Sequence, residues 1–175
     1  MTDQPLISIC IPAYQRPDKL KHLLDSIQAQ SYRHFEVIIT DDSPGNEVCE
    51  MVRQHGLGSS IRYFRNSKPL GTPENWNESI RKAAGEWIKL MHDDDWFTTS
   101  NALERFALAL RSGGASFYFS AYTNVYPDGS SRGIRSSEAY AQRLIRLPEL
   151  LLASNRIGPP SVVIFKSDPD LVFDK

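Results

Sequence analysis

The sequence is poor in several things, and each shortage excludes a class of protein. It has 2 cysteines in 175 residues. Cys10 lies in an apolar run and Cys49 in a polar, helix-like stretch. No motif spacing links them, so both read as free thiols in a reducing compartment rather than a disulfide framework. Charge of one sign is also lacking: 20 Lys and Arg against 21 Asp and Glu leave a net charge of −1. No basic field is present to attract a nucleic-acid backbone or an anionic membrane surface. No apolar run approaches the roughly 18 residues needed to cross a bilayer. The opening MTDQPLISIC has no basic segment leading into an apolar core, so no secretory leader is expected, and the expected location is cytoplasmic. Internal repeats and low-complexity linkers are missing too, which predicts one domain over residues 1–175.

What is present is a globular composition, 41% hydrophobic and 10% aromatic, in a chain long enough to bury a core. LISICI (6–11) is a β-branched apolar run, consistent with a strand buried on both faces. Pro17 then opens a stretch in which Leu20, Leu23, Leu24 and Ile27 recur at helical spacing. Residues 35–40 read as a second strand, 47–54 as a short helix, and 61–66 as a third strand. The loop SKPLGTP follows, then a helix over 74–84 closed by Gly85. EWIKLM (86–91) reads as a fourth strand and 100–111 as a helix capped by Ser100 or Asn101. The aromatic-rich 115–126 reads as one fifth strand, 127–133 as a turn or loop, 146–154 as a short helix, and 160–165 as a last strand. Strands alternating with helices predict an α/β fold, a mostly parallel sheet with helices on both faces.

Ligands of such sheets bind beyond the carboxyl ends of the strands, where strand order reverses. After the first strand come Pro12, Ala13, Tyr14 and Arg16. Asp41 and Asp42 follow the second, and Asp93, Asp94 and Asp95 follow the fourth. Acidic and polar side chains thus gather along one edge. Carboxylates at strand ends suit Mg²⁺ or Mn²⁺, which take one or two carboxylates together with phosphate oxygens and water. Such an ion would offset charge on a departing diphosphate. Asp42 could hydrogen-bond a base or ribose, Tyr14 could stack on a base, and Arg16 could meet a phosphate or a ring edge.

The same residues have plainer readings. Asp41 and Asp42 could form an Asx-turn or cap, Asp93–Asp95 a solvated turn, and Tyr14 simple packing. His92 could ligate a metal or only hydrogen-bond a neighbouring carboxylate. Trp76 and Trp87 read as core; His22, His34 and His55 read as surface. Spacing removes two look-alikes. An aspartyl-phosphate phosphatase needs Asp-x-Asp after its first strand, where this chain has PAY. A receiver domain needs a lone Asp after its third, where IRYFRN has none. The Gly-x-Gly-x-x-Gly of a dinucleotide site fails as well, since Pro12–Arg16 holds no glycine.

Taken together, ISICIPAYQRPDKLKHLLDSIQAQSYRHFEVIITDDSP, GTPENWNESIRKAAGEWIKLMHDDDWF and IGPPSVVIFK resemble the family 2 glycosyltransferases of the GT-A, Rossmann-like fold. The resemblance implies a nucleotide-sugar donor, usually a UDP-sugar, a bound Mn²⁺ or Mg²⁺, and hexosyltransferase-like transfer with inversion. Pro12, Ala13 and Tyr14 match the loop against the nucleobase, and Asp42 the acid that binds the base. Asn75 or Asn77 falls in the helix approaching the diphosphate. Asp94 matches the residue near ribose and metal, and Asp95 the metal ligand. Asp93 completes a literal Asp-x-Asp with Asp95, so the triplet admits two registers. Many relatives place an acid where His92 stands. The family's catalytic base lies past the stretch matching LVFDK, which puts it beyond Lys175 and leaves Asp168, Asp170 and Asp174 before it. The expectation is therefore a donor-binding half without its base, acting on a glycan, lipid-linked or protein acceptor that the sequence does not name. A nucleotidyltransferase would carry a Gly-rich, basic loop after the first strand, which PAYQRPD is not. The remaining alternative is a silent nucleotide-sugar or divalent-metal binding module.

Overall fold

A computed structural model describes residues 4–147, 149 and 157–174. Its elements run β1 (Ile7–Ala13), α1 (Pro17–Gln28), β2 (Phe35–Asp41), α2 (Glu47–Gln54), β3 (Ile61–Arg65), α3 (Glu74–Arg81), β4 (Trp87–Leu90) and α4 (Ala102–Ser112). There follow β5 (Phe117–Phe119), β6 (Tyr122–Val125), β7 (Ser131–Ile134), α5 (Glu138–Arg146) and β8 (Val163–Lys166). The main sheet has the order β3-β2-β1-β4-β8-β5. Parallel pairing joins β3, β2, β1 and β4, while β8 is antiparallel to both β4 and β5.

Both faces of this sheet are buried, which explains the unbroken apolar run of β1. Ile7, Ile9 and Ile11 face a core built with Leu20, Leu23, Leu24 and Ile27 of α1, Val48 and Val52 of α2, and Leu103, Phe106 and Leu110 of α4. Cys10 points the opposite way, onto Ile38, Ile88, Leu90 and Phe165, and is covered by Trp76 and Ile80 of α3. The two-residue alternation of strand side chains thus divides the core between two layers of helices. Gly85 permits the tight entry to β4, because a Cβ there would lie 2.6 Å from Ser8 Oγ and 2.8 Å from the Leu6 carbonyl oxygen.

Several expectations change. The fifth strand over 115–126 is in fact two: β5 stays in the main sheet, and β6 leaves it to pair with β7 in a separate hairpin. Residues 131–133, expected as loop, belong to β7. His55 is buried rather than on the surface, with Nε2 3.0 Å from Asp25 Oδ1. The short helix expected over 146–154 falls largely outside the described residues; α5 precedes it. The start of α5 is marked by Ser137, whose hydroxyl accepts the Tyr140 N–H. The last strand begins later than expected, at Val163, after a 3₁₀ turn over Pro160–Val162.

Candidate functional site

β1 and β4 are neighbours in the sheet although three helices and two strands separate them in sequence. This is where strand order reverses, and a crevice opens there beyond the carboxyl ends. The chain leaving β1 is tied to both of its neighbours. Tyr14 N–H donates to Asp93 Oδ2 at 3.2 Å, on the β4 side. Gln15 N–H donates to Ser43 Oγ at 2.8 Å, on the β2 side. Gln15 reaches this position with φ of 55°, a backbone conformation uncommon outside glycine. The turn leaves the Tyr14 ring half exposed at the crevice.

The three adjacent aspartates have three different surroundings. Asp93 is 1% exposed. Its carboxylate takes the Tyr14 amide and lies 2.5 Å from Arg16 Nη2. That Arg16 approach is an ion pair without hydrogen-bond geometry, since Asp93 Oδ1 accepts no aligned donor. Burial, more than anything else, pushes the Asp93 carboxyl above its usual range; the Tyr14 amide and Arg16 pull against it. Asp94 is exposed and holds Arg16 Nη1 at 2.6 Å. Asp95 accepts a short hydrogen bond from Ser161 Oγ. His92 Nδ1 lies 3.7 Å from Asp95 Oδ2, its backbone N–H donates to Ser161 Oγ at 3.1 Å, and its ring rests on Trp76 at 4.9 Å. His92 Nε2 is buried without a hydrogen-bond partner.

His92, Asp94 and Asp95 each offer one ligand atom within 4.8 Å of the others, whereas Asp93 stands outside that group. Two carboxylates with one imidazole fit Mn²⁺ better than Mg²⁺, which prefers an all-oxygen shell. His92 Nδ1 is the ring nitrogen shown beside Asp95, and one imidazole with two carboxylates in reach of one another is the donor set that favours an ion here.

Asp42 and Asn75 are buried beside the 66–71 loop with their polar atoms already engaged. The Asp42 carboxylate accepts from Asn66 Nδ2 at 2.7 Å, Leu70 N–H at 3.1 Å and Gly71 N–H at 2.8 Å. Asn75 Nδ2 donates to the Thr40 carbonyl oxygen, and its Oδ1 accepts from Asn66. Asp41 forms an Asx-turn to Ser43 N–H and takes the Tyr63 hydroxyl at 2.5 Å. Pro12 is half-buried and Ala13 buried in the strand. Asn77 instead grips the C-terminal segment, with Nδ2 2.9 Å from the Phe173 carbonyl oxygen and Oδ1 2.8 Å from its N–H.

Two residues at the site escaped the sequence reading. Ser161 links His92 to Asp95, and nothing in PPSVV signals that role. Lys89 is the other, a side chain only 1% exposed whose Nζ donates to the Ser161 carbonyl oxygen. Its signal was present: one charge inside the apolar strand EWIKLM. Burial lowers the Lys89 ammonium from 10.5 to about 7, with the Asp95 charge opposing.

The fold and the sequence both have known counterparts. Staphylococcus aureus TarS, residues 1–349, superposes with a TM-score of 0.70 at 17% identity, covering 92% of this chain and 47% of that one. The mannosyltransferase PcManGT of Pyrobaculum calidifontis, in complex with GDP-Man and Mn²⁺, gives a TM-score of 0.63 at 16% identity over 94% of this chain and 45% of its own. TarS 1–349 has also been solved with UDP-GlcNAc. In sequence, an uncharacterised glycosyltransferase of Haemophilus influenzae is 24% identical over 93% of this chain and 53% of its own length. A GalNAc(5)-diNAcBac-PP-undecaprenol β-1,3-glucosyltransferase of Campylobacter jejuni is 29% identical over 52% of this chain and 30% of its own. The chain therefore spans about half the length, or less, of these relatives. The profile of glycosyl transferase family 2 matches residues 8–171, and the chain belongs to that family.

Proposed function

We propose that this domain binds a nucleotide-sugar, a UDP-sugar by preference, together with Mn²⁺ or Mg²⁺, and serves sugar transfer with inversion to an acceptor hydroxyl. The observation that carries the proposal is the convergence of His92, Asp94 and Asp95 at the reversal point between β1 and β4. Solved relatives hold UDP-GlcNAc, or GDP-Man with Mn²⁺, on the same fold, which supports the donor class.

In this reading Tyr14 offers its exposed face to the base, with Pro12 and Ala13 forming the wall behind it. Asp42 and Asn75 hold the 66–71 loop that closes the nucleotide side. His92, Asp94 and Asp95 would hold the ion, which when bound supplies positive charge against a departing diphosphate. Asp93 keeps the Tyr14 turn in place, and Arg16, against both Asp93 and Asp94, limits their mutual repulsion. Inversion by direct displacement needs a carboxylate to deprotonate the acceptor. Among the described residues no carboxylate is assigned that role, and these residues are expected to bind donor and to transfer poorly. Rapid transfer by the chain alone would contradict that assignment.

Replacing Asp95 tests the ion site. Asp95→Ala should lower Mn²⁺-dependent UDP affinity by about 100-fold or more while leaving the circular dichroism spectrum intact, since loss of even a supporting group around a metal costs about 10–100-fold. Unchanged affinity in a folded variant removes Asp95 from the site.

A further inference from the structure

A cavity of about 1080 Å³ starts at Asp94 and Asp95 and runs between α4 and the β6–β7 hairpin. Sites for one small ligand span roughly 300–1,000 Å³, so there is room for more than a donor sugar. Its charge is uneven. Asp94 and Asp95 are the only carboxylates lining it among the described residues, and both sit at the ion end. Along the rest stand Lys19 of α1, Arg105 of α4 and Arg135 just after β7. All three are exposed, and none forms an ion pair among the described residues, in contrast to Arg16, which is held by Asp93 and Asp94.

A fourth basic side chain lies at the floor. Lys89 is fully buried, and its Nζ meets the Ser161 carbonyl oxygen and the faces of Phe97 and Phe106, at 5.8 and 5.6 Å from their centroids. A buried cation without an anion in contact is costly to keep. An occupant that brings negative charge into the cavity would repay that cost. Three cations from separate parts of the chain, two of them arginines whose forked N–H groups match phosphate oxygens, line the cavity available to such an occupant.

We propose that the part of this cavity beyond Asp94 and Asp95 receives the acceptor, and that the acceptor carries phosphate, gripped by Lys19, Arg105 and Arg135 above Lys89. The inference rests on the donor reading given above and adds the acceptor's chemical class. Phosphate of this kind occurs both as a phosphodiester within a polymer and as the diphosphate of a lipid carrier, and the recognition chemistry is shared.

The test is a titration of the full chain, preloaded with Mn²⁺ and UDP, against three probes: glycerophosphoglycerol, geranyl diphosphate and glycerol. UDP binding is recorded in the same sample. Both phosphate probes are expected to bind at least about tenfold more tightly than glycerol, and Arg105→Gln/Arg135→Gln should lose about tenfold or more of that affinity with UDP binding unchanged. Tighter binding of the diphosphate identifies a lipid-linked source, and tighter binding of the phosphodiester a polymer. If UDP binds yet neither phosphate probe exceeds glycerol, or the double variant binds them as well as the parent, the inference is overturned and the donor reading stands. If UDP itself fails to bind, the donor reading falls and takes the inference with it.

Discussion

Asp42 shows how one side chain can organise a whole loop. It is 5% exposed and its carboxylate gathers the N–H groups of Leu70 and Gly71 and the amide of Asn66. Gly71 adopts φ of 72° to turn its N–H inward. Asp42→Ala leaves these donors without an acceptor, and the expected cost is about 2 kcal/mol, part of it relieved by water at the loop. A urea midpoint identical to the parent's would show that the loop does not depend on Asp42. Lys89 gives a prediction of opposite character. Its folded pKa of about 7 lies below the ordinary 10.5, so the unfolded chain holds the extra proton between those values. Stability should therefore rise with pH from about 7 to about 10.5 through this group. Urea midpoints measured across that window should climb less steeply in Lys89→Met than in the parent. Equal slopes would mean that Lys89 titrates normally.

Elements differ in how far the sequence announces them. β1 and β2 are legible because burial on both faces demands an unbroken apolar run. α1 is legible from Pro17 and the spacing of its leucines. The division of 115–126 into β5 and β6 is not, because aromatic and β-branched residues continue through the break and the choice of sheet depends on distant partners, Val163–Phe165 for β5 and Ser131–Ile134 for β6. The direction of β8 is equally hidden, since strand sense leaves no mark on side-chain alternation. The Asp93–Asp95 cluster was legible as a strand-end acidic group. Its internal division was not, for it follows from the turn after β4, which buries Asp93 beneath the Tyr14 amide and swings Asp94 and Asp95 outward beside His92. Likewise Gln30, two residues past α1, gave no sign that its Oε1 accepts the Leu103 N–H and so caps α4 from outside. Asn77 makes a comparable link from α3. Its amide pairs with both backbone groups of Phe173, whose ring packs on Trp76, the neighbour of His92. Asn77→Ala should cost about 1–2 kcal/mol and speed deuterium exchange at the Phe173 amide. Exchange at the parent rate would mean that other contacts hold the segment.

At the scale of the whole molecule, the sheet order brings the ends of β1, β2 and β4 together, so that residues more than seventy positions apart, Tyr14 and Asp93, share a hydrogen bond. In the proposed reading the side chains that meet the base and the ion are Tyr14, His92, Asp94 and Asp95, drawn from the ends of β1 and β4. Among the described residues no helix is long and apolar enough to cross a membrane. The cavity beyond the acidic pair is lined by Lys19, Arg105 and Arg135, so the proposed donor and acceptor sides differ in charge as well as in place. The account depends first on the ion and nucleotide sharing one site. Calorimetric titration of the chain with UDP, GDP and dTDP, each with Mn²⁺ and again with EDTA, tests this most directly. Binding of one nucleotide, UDP by expectation, that appears with Mn²⁺ and vanishes with EDTA is the predicted result. Equal binding in EDTA, or no binding of any nucleotide by folded protein, would contradict it.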